Sequence, residues 1–125
     1  MILFSLFFFK KTRIILQKKE TKTRFVNRTP QYSCVGTTGF LGRELYEVRE
    51  KRGDALGKDF LCVGSMGHAS QIAMGIALAR PDRQIFCLDG DGAMLMHMGG
   101  PAIVGAAGVA NFKHVILNNG VHDSV

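Results

Sequence analysis

From about residue 31 onward the apolar positions alternate between two periods. Short, mostly apolar runs at 32–35, 59–63, 84–88 and 114–117 predict buried strands. Between them the apolar residues recur at helical spacing. Phe40, Leu41, Leu45 and Val48 mark a first helix that continues through Arg52 and stops at Gly53. The preceding turn, Gly36-Thr37-Thr38-Gly39, is expected to supply a capping hydroxyl. A run of small residues at 69–79 predicts a second helix, stopped by Pro81-Asp82. The stretch 94–110 holds a third, complicated by Gly99-Gly100-Pro101. Proline inside a helix costs about 3 kcal/mol but is tolerated in the first turn. The helix is therefore expected from near Gly100 to about Val109. Strand–helix alternation of this kind predicts an α/β fold, a three-layer parallel sheet with helices on both faces.

Two of these strands lead into polar turns. One ends on Leu88-Asp89-Gly90-Asp91-Gly92-Ala93, the other on Asn118-Asn119-Gly120. The interval 93–117 suits one loop, one helix and one strand, the crossover unit of a parallel sheet. If the two strands are neighbours, Asp91 and the asparagine pair emerge at the same carboxyl edge. A carboxylate and a carboxamide beside a Gly-rich turn are hard oxygen ligands next to free backbone N–H groups, which is what a Mg²⁺–diphosphate group needs. A second Gly-rich turn, Gly64-Ser65-Met66-Gly67-His68, follows the strand at 59–63. Neither turn reads G-x-G-x-x-G. The second puts Met and His where a dinucleotide fold needs a glycine facing the pyrophosphate.

Composition changes this picture in two places. The net charge of +6 is concentrated in the first 28 residues, which carry eight Lys/Arg and one Glu, against eight Lys/Arg and nine Asp/Glu in the remainder. The domain is thus nearly neutral, and no nucleic-acid partner is expected. Residues 1–30 read as a basic N-terminal extension outside the fold. Their apolar start is too short to span a bilayer, so no membrane partner is expected; a transit peptide within 1–28 is the less favoured alternative to a cytoplasmic protein. Cys34, Cys62 and Cys87 are odd in number and lack C-x-x-C spacing, which favours reduced core thiols.

Gly90-Asp91-Gly92 followed at this distance by Asn118-Asn119, and preceded by Gly64-Ser65-Met66-Gly67, resembles the signature of thiamine diphosphate-dependent enzymes. Within that group the phosphonopyruvate decarboxylases are the most similar, through 64–69, through 88–93 with Met96-His97-Met98 behind it, and through 118–124. The resemblance covers roughly 33–125 and implies the thiamine diphosphate-binding fold over 31–125, incomplete at its C-terminus. It implies thiamine diphosphate and Mg²⁺ as cofactors. Asp91, the Asn119 side-chain carbonyl and the Val121 backbone carbonyl would ligate the metal, while Asn118 shapes the turn. The N–H groups of Gly92 and Ala93 would hold the diphosphate, with Gly90 and Gly92 allowing close approach. In the turn at Gly64, Ser65, Met66, Gly67 and His68, the Gly64 carbonyl and Met66 N–H would meet the aminopyrimidine, and Met66 would bend the cofactor.

The reaction implied is decarboxylation of a small 2-oxo acid, 3-phosphonopyruvate giving phosphonoacetaldehyde and CO₂. Sulfopyruvate decarboxylation, or a non-catalytic cofactor-binding fragment, is the alternative. The family's catalytic glutamate belongs to a pyrimidine-binding domain, so the resemblance implies such a domain from another chain or a missing segment. It also implies a homo-oligomer in the full-length enzyme and little turnover by this chain alone. His122 and Ser124 are candidate substrate contacts, against a role in ordering their loop. His68 is a candidate near the diphosphate, against an exposed helix N-terminal residue. His97 and Met94, Met96 and Met98 read as packing, and Asp89 as a brace for the turn.

Overall fold

The computed structural model describes residues 8–9, 12–13, 32–54 and 56–122. Of the 1–30 segment this includes a two-residue hairpin, β1 (Phe8–Phe9) and β2 (Thr12–Arg13). The rest of the expected extension, and Ser124, lie outside the described residues.

The main sheet has four parallel strands: β3 (Tyr32–Gly36), β4 (Phe60–Leu61), β5 (Gln84–Gly90) and β6 (Phe112–Leu117), in the order β4-β3-β5-β6. The helices are α1 (Phe40–Arg52), α2 (Ala69–Ala79), the short α3 (Asp91–Met96) and α4 (Gly99–Ala107). A 3-10 turn at Leu56–Lys58 leads into β4.

Both predicted long helices form where their periodicity places them. Helix α1 ends in a left-handed Gly53, with the Asp54 N–H donating to the Arg49 carbonyl and the Gly53 N–H to that of Glu50. Its start differs from expectation, since no side chain caps it. Thr38 Oγ1 instead donates to the Val63 carbonyl at 2.8 Å, and Thr37 is buried. Two further expectations are corrected. The strand expected over 59–63 pairs only at Phe60–Leu61 among the described residues, with β3. The expected single helix from Gly100 is two, with Asp91–Met96 helical before it and Pro101 in the first turn of α4.

Alternation along the strands sorts the core into two layers. Val35, Ile85, Cys87 and Phe112 pack with Ala69, Ala73 and Ala77 of α2 and Val104 of α4 on one face. Tyr32 and Cys34, with the partly buried Phe86 and Leu88, pack against Leu45 of α1 on the other. Helices thus cover both faces. Small alanines let α2 lie close to the sheet, and Gly100 of α4 meets the Gln71 side chain directly. Met96 and Met98 are exposed, so only Met94 of the three methionines is even partly buried.

At the amino end of β3, Arg49 ties α1 to the sheet. Its Nε and Nη2 donate to the Asp59 carboxylate at 2.7 and 3.0 Å, and its Nη1 donates to the Tyr32 hydroxyl at 3.0 Å. Asp59 also accepts the Cys34 N–H at 3.0 Å. Both charges are buried, and the fork-to-carboxylate geometry satisfies them. Burial raises the thiols of all three cysteines: Cys34 goes to about 12, with Asp59 adding to the rise, and Cys87 well above its ordinary value. They are reduced, protonated core residues, in line with their apolar surroundings in sequence.

Candidate active site

Strand order decides where the polar turns meet. From β3 the chain crosses to β4 through α1, then returns past β3 to β5 through α2 on the opposite face. The connections diverge between β3 and β5, and ligands of open α/β sheets bind in the crevice beyond the strand ends at such a point. The turns after β3, β4, β5 and β6 all open on that carboxyl edge. Thr37, the first residue after β3, donates its N–H to the Leu88 carbonyl at 2.9 Å, and its buried hydroxyl has no partner.

Strands β5 and β6 are neighbours in register, with Gly90 opposite Leu117. Asp91 and the asparagine turn therefore emerge side by side, as expected. Asp91 Oδ2 accepts the Gly120 N–H at 3.3 Å. Asn118 Oδ1 accepts the same N–H at 2.6 Å, and Asn119 Oδ1 accepts the Val121 N–H at 3.1 Å. Each asparagine thus folds the turn on its own backbone two residues on. Asn118, Asn119 and Val121 are all exposed residues.

The turn at Gly64 comes up against this pair of loops. Gly67 has φ +87°, and a Cβ there would lie 2.6 Å from His97 Cδ2 and 2.9 Å from the Ala93 carbonyl oxygen. The ring of His68 stacks at a tilt on that of His97, centroids 4.1 Å apart. His97 therefore packs, as read from sequence, and the stack joins the second Gly-rich turn to the first. Ser65 accepts the His68 N–H through its carbonyl at 3.1 Å, and Met66 is half-buried between the two glycines.

His122 closes the group from the far side. A Cβ on Gly92 would lie 2.8 Å from its Cδ2, so the imidazole rests on that glycine, and its buried Nδ1 has no partner. Around Gly90 and Gly64 nothing lies where a side chain would project. An unpartnered buried nitrogen, open space at two glycines and a cluster of carboxylate and amide oxygens form a cradle suited to an oxyanion and a hard cation.

Sequence reading missed one member of this region. His114 is fully buried in β6, and its Nε2 lies 3.2 Å from Oδ2 of the equally buried Asp89. Asp89 Oδ1 accepts the Gly90 N–H at 3.1 Å. A histidine inside an apolar run, facing a strand that carries one carboxylate, was the available signal.

Residues 34–125 match the family model described as "Thiamine pyrophosphate enzyme, C-terminal TPP binding domain". Among curated proteins, the phosphonopyruvate decarboxylase of Streptomyces viridochromogenes is 43% identical over 92 residues, 74% of this chain and 22% of the relative. That of Streptomyces hygroscopicus is 42% identical over 95 residues, 76% of this chain and 22% of the relative. The sulfopyruvate decarboxylase subunit beta of Methanothermobacter thermautotrophicus is 34% identical over 106 residues, 85% of this chain and 54% of the relative. The chain thus spans about a fifth of the first two relatives and about half of the third.

Proposed function

Because the chain belongs to the thiamine pyrophosphate enzyme family, as its C-terminal TPP-binding domain, we propose that it binds thiamine diphosphate through Mg²⁺ and serves a 2-oxo acid decarboxylase. The observation that carries this is the meeting of Asp91 with the Asn118-Asn119-Gly120 turn, at the edge where the sheet connections diverge. Asp91, the Asn119 side-chain oxygen and the Val121 carbonyl hold the metal. The N–H groups of Gly92 and Ala93 hold the diphosphate, and the space at Gly90 admits it. The turn at Gly64, Ser65, Met66, Gly67 and His68 receives the pyrimidine end, with Met66 as the apolar support beneath the cofactor.

When bound, thiamine diphosphate supplies the electron sink that lets a 2-oxo acid lose CO₂. The protein's part is to position and polarise. Asp91 would bring negative charge to the cation, the N–H groups of Gly92 and Ala93 would orient the diphosphate, and Met66 would give the cofactor apolar support. We assign 3-phosphonopyruvate as the substrate, giving phosphonoacetaldehyde and CO₂, on the 42–43% identity to enzymes of that name. His122, with its unpartnered Nδ1, and Ser124 are the contacts proposed for the anionic tail. The beta-subunit relatives support sulfopyruvate as the second reading. They also support a requirement for a pyrimidine-binding domain from elsewhere in a larger protein or from another chain, within an oligomer. The buried reduced thiols favour the cytoplasm, and no helix among the described residues is long and apolar enough to cross a membrane.

The test is CO₂ release from 3-phosphonopyruvate and from sulfopyruvate, with a complementing pyrimidine-binding domain added. Turnover that needs both polypeptides and prefers the phosphonate is expected. A preference for sulfopyruvate shifts the assignment to the second reading. Substantial turnover by the chain alone contradicts the need for a partner.

A further inference from the structure

We infer that Asp89 and His114 are positioning residues for the metal site, a buried rung between β5 and β6 that sets where Asp91 points. Asp89 lies two residues before Asp91 and on the face of β5 covered by α2 and α4, with Ile85 and Cys87. Its residue is 1% exposed, as is His114. A carboxylate so buried is tolerated only if donors satisfy it. It has two: the Gly90 N–H on Oδ1 at 3.1 Å, and His114 Nε2 on Oδ2 at 3.2 Å. With Asp89 as the acceptor, this pairing calls for the His114 ring proton on Nε2, the tautomer that the spectrum below reads.

The consequence reaches Asp91 through the backbone. The Gly90 N–H belongs to the last residue of β5, and fixing it fixes the Asp89–Gly90 peptide plane, one peptide before Asp91. On the other strand His114 sits three residues before Leu117, where β6 releases the asparagine turn. The buried pair, diagonal in the register, thus ties β5 to β6 just below the place where Asp91, the first residue of α3, meets Gly120 of the turn after β6 at 3.3 Å. Groups that orient a metal ligand commonly change affinity about 10- to 100-fold when removed. The Cys87 thiol lies within 4.8 Å of both partners, but burial, with the Asp89 charge adding to it, holds the thiol protonated. The three side chains thus form a closed polar cluster in the core.

This inference rests on the cofactor reading for its effect on Mg²⁺, though not for the rung itself. The full chain and its Asp89→Asn, His114→Leu and His114→Gln variants would be titrated with Mg²⁺ at saturating thiamine diphosphate, by calorimetry, with thermal unfolding of each. Glutamine keeps a donor near the position of Nε2. Mg²⁺ affinity is expected to fall tenfold or more in Asp89→Asn and His114→Leu and to stay within about threefold in His114→Gln, all unfolding cooperatively. Folded Asp89→Asn and His114→Leu proteins that bind Mg²⁺ within twofold of the parent overturn the proposal. Should those variants not fold, the ¹⁵N spectrum of His114 in the unmodified chain decides. An Nε2-protonated ring with a donor-shifted Gly90 amide supports the rung, and an Nδ1-protonated ring overturns it. A parent chain that binds no Mg²⁺ at all refutes the cofactor reading, and the same spectrum then judges the rung by itself.

Discussion

Two glycines in the site make opposite demands. At Gly67 the backbone is left-handed, and His97 and the Ala93 carbonyl fill the space a side chain would take. Gly67→Ala is expected to cost about 1–3 kcal/mol of stability, read as a lowered unfolding midpoint. At Gly90 the backbone is extended, with nothing within van der Waals reach of a methyl group. Gly90→Ala should therefore leave the ligand-free fold as stable as before or slightly more so. If the diphosphate occupies that space, the same substitution weakens thiamine diphosphate binding at least tenfold, and unchanged affinity would remove Gly90 from the site. The meeting of Asp91 with the asparagine turn was legible in the sequence. Asp91, Asn119 and the Gly-rich turn are local signals, read from spacing and residue type. The Asp89–His114 pair was not, because it joins residues 25 apart through a strand register that no local pattern carries.

At the scale of elements, the boundaries that follow from periodicity and glycine stops hold, and those that depend on neighbours do not. Helix α1 ends at Gly53 and α2 at the residues before Pro81, as their sequences dictate. Strand β4 pairs over two residues of a longer apolar run, and α3 forms over Asp91–Met96, which has no helical apolar period to announce it. The tie between α1 and the sheet is likewise tertiary. Arg49 meets Asp59 with both side chains at most 7% exposed. Truncating it to alanine strands the Asp59 charge in the core and should destabilise by about 3–5 kcal/mol, measured by denaturant unfolding. Lysine should not rescue fully, because it cannot reproduce the two-pronged contact. A loss below about 1 kcal/mol would mean that water reaches Asp59.

For the whole molecule, the sheet order brings the separate motifs to one edge; from sequence this is conditional on β5 and β6 being neighbours, and they are. The same packing shields the thiols. At pH 8 the native chain should resist alkylation at Cys34, Cys62 and Cys87, while the denatured chain reacts at all three. Cys34 is raised from 9.0 to about 12 in the fold, so its contribution to stability is complete below about pH 9 and is lost as pH climbs toward 12. Alkaline unfolding should begin in that window. We propose more narrowly that Asp91 and the asparagine turn form a Mg²⁺-dependent site for thiamine diphosphate. Calorimetric titration of the chain with thiamine diphosphate, with Mg²⁺, with EDTA, and after Asp91→Ala, tests it most directly. Saturable binding that requires Mg²⁺ and falls at least tenfold on removing Asp91 is predicted; binding indifferent to both, or absent from the folded parent chain, would contradict it.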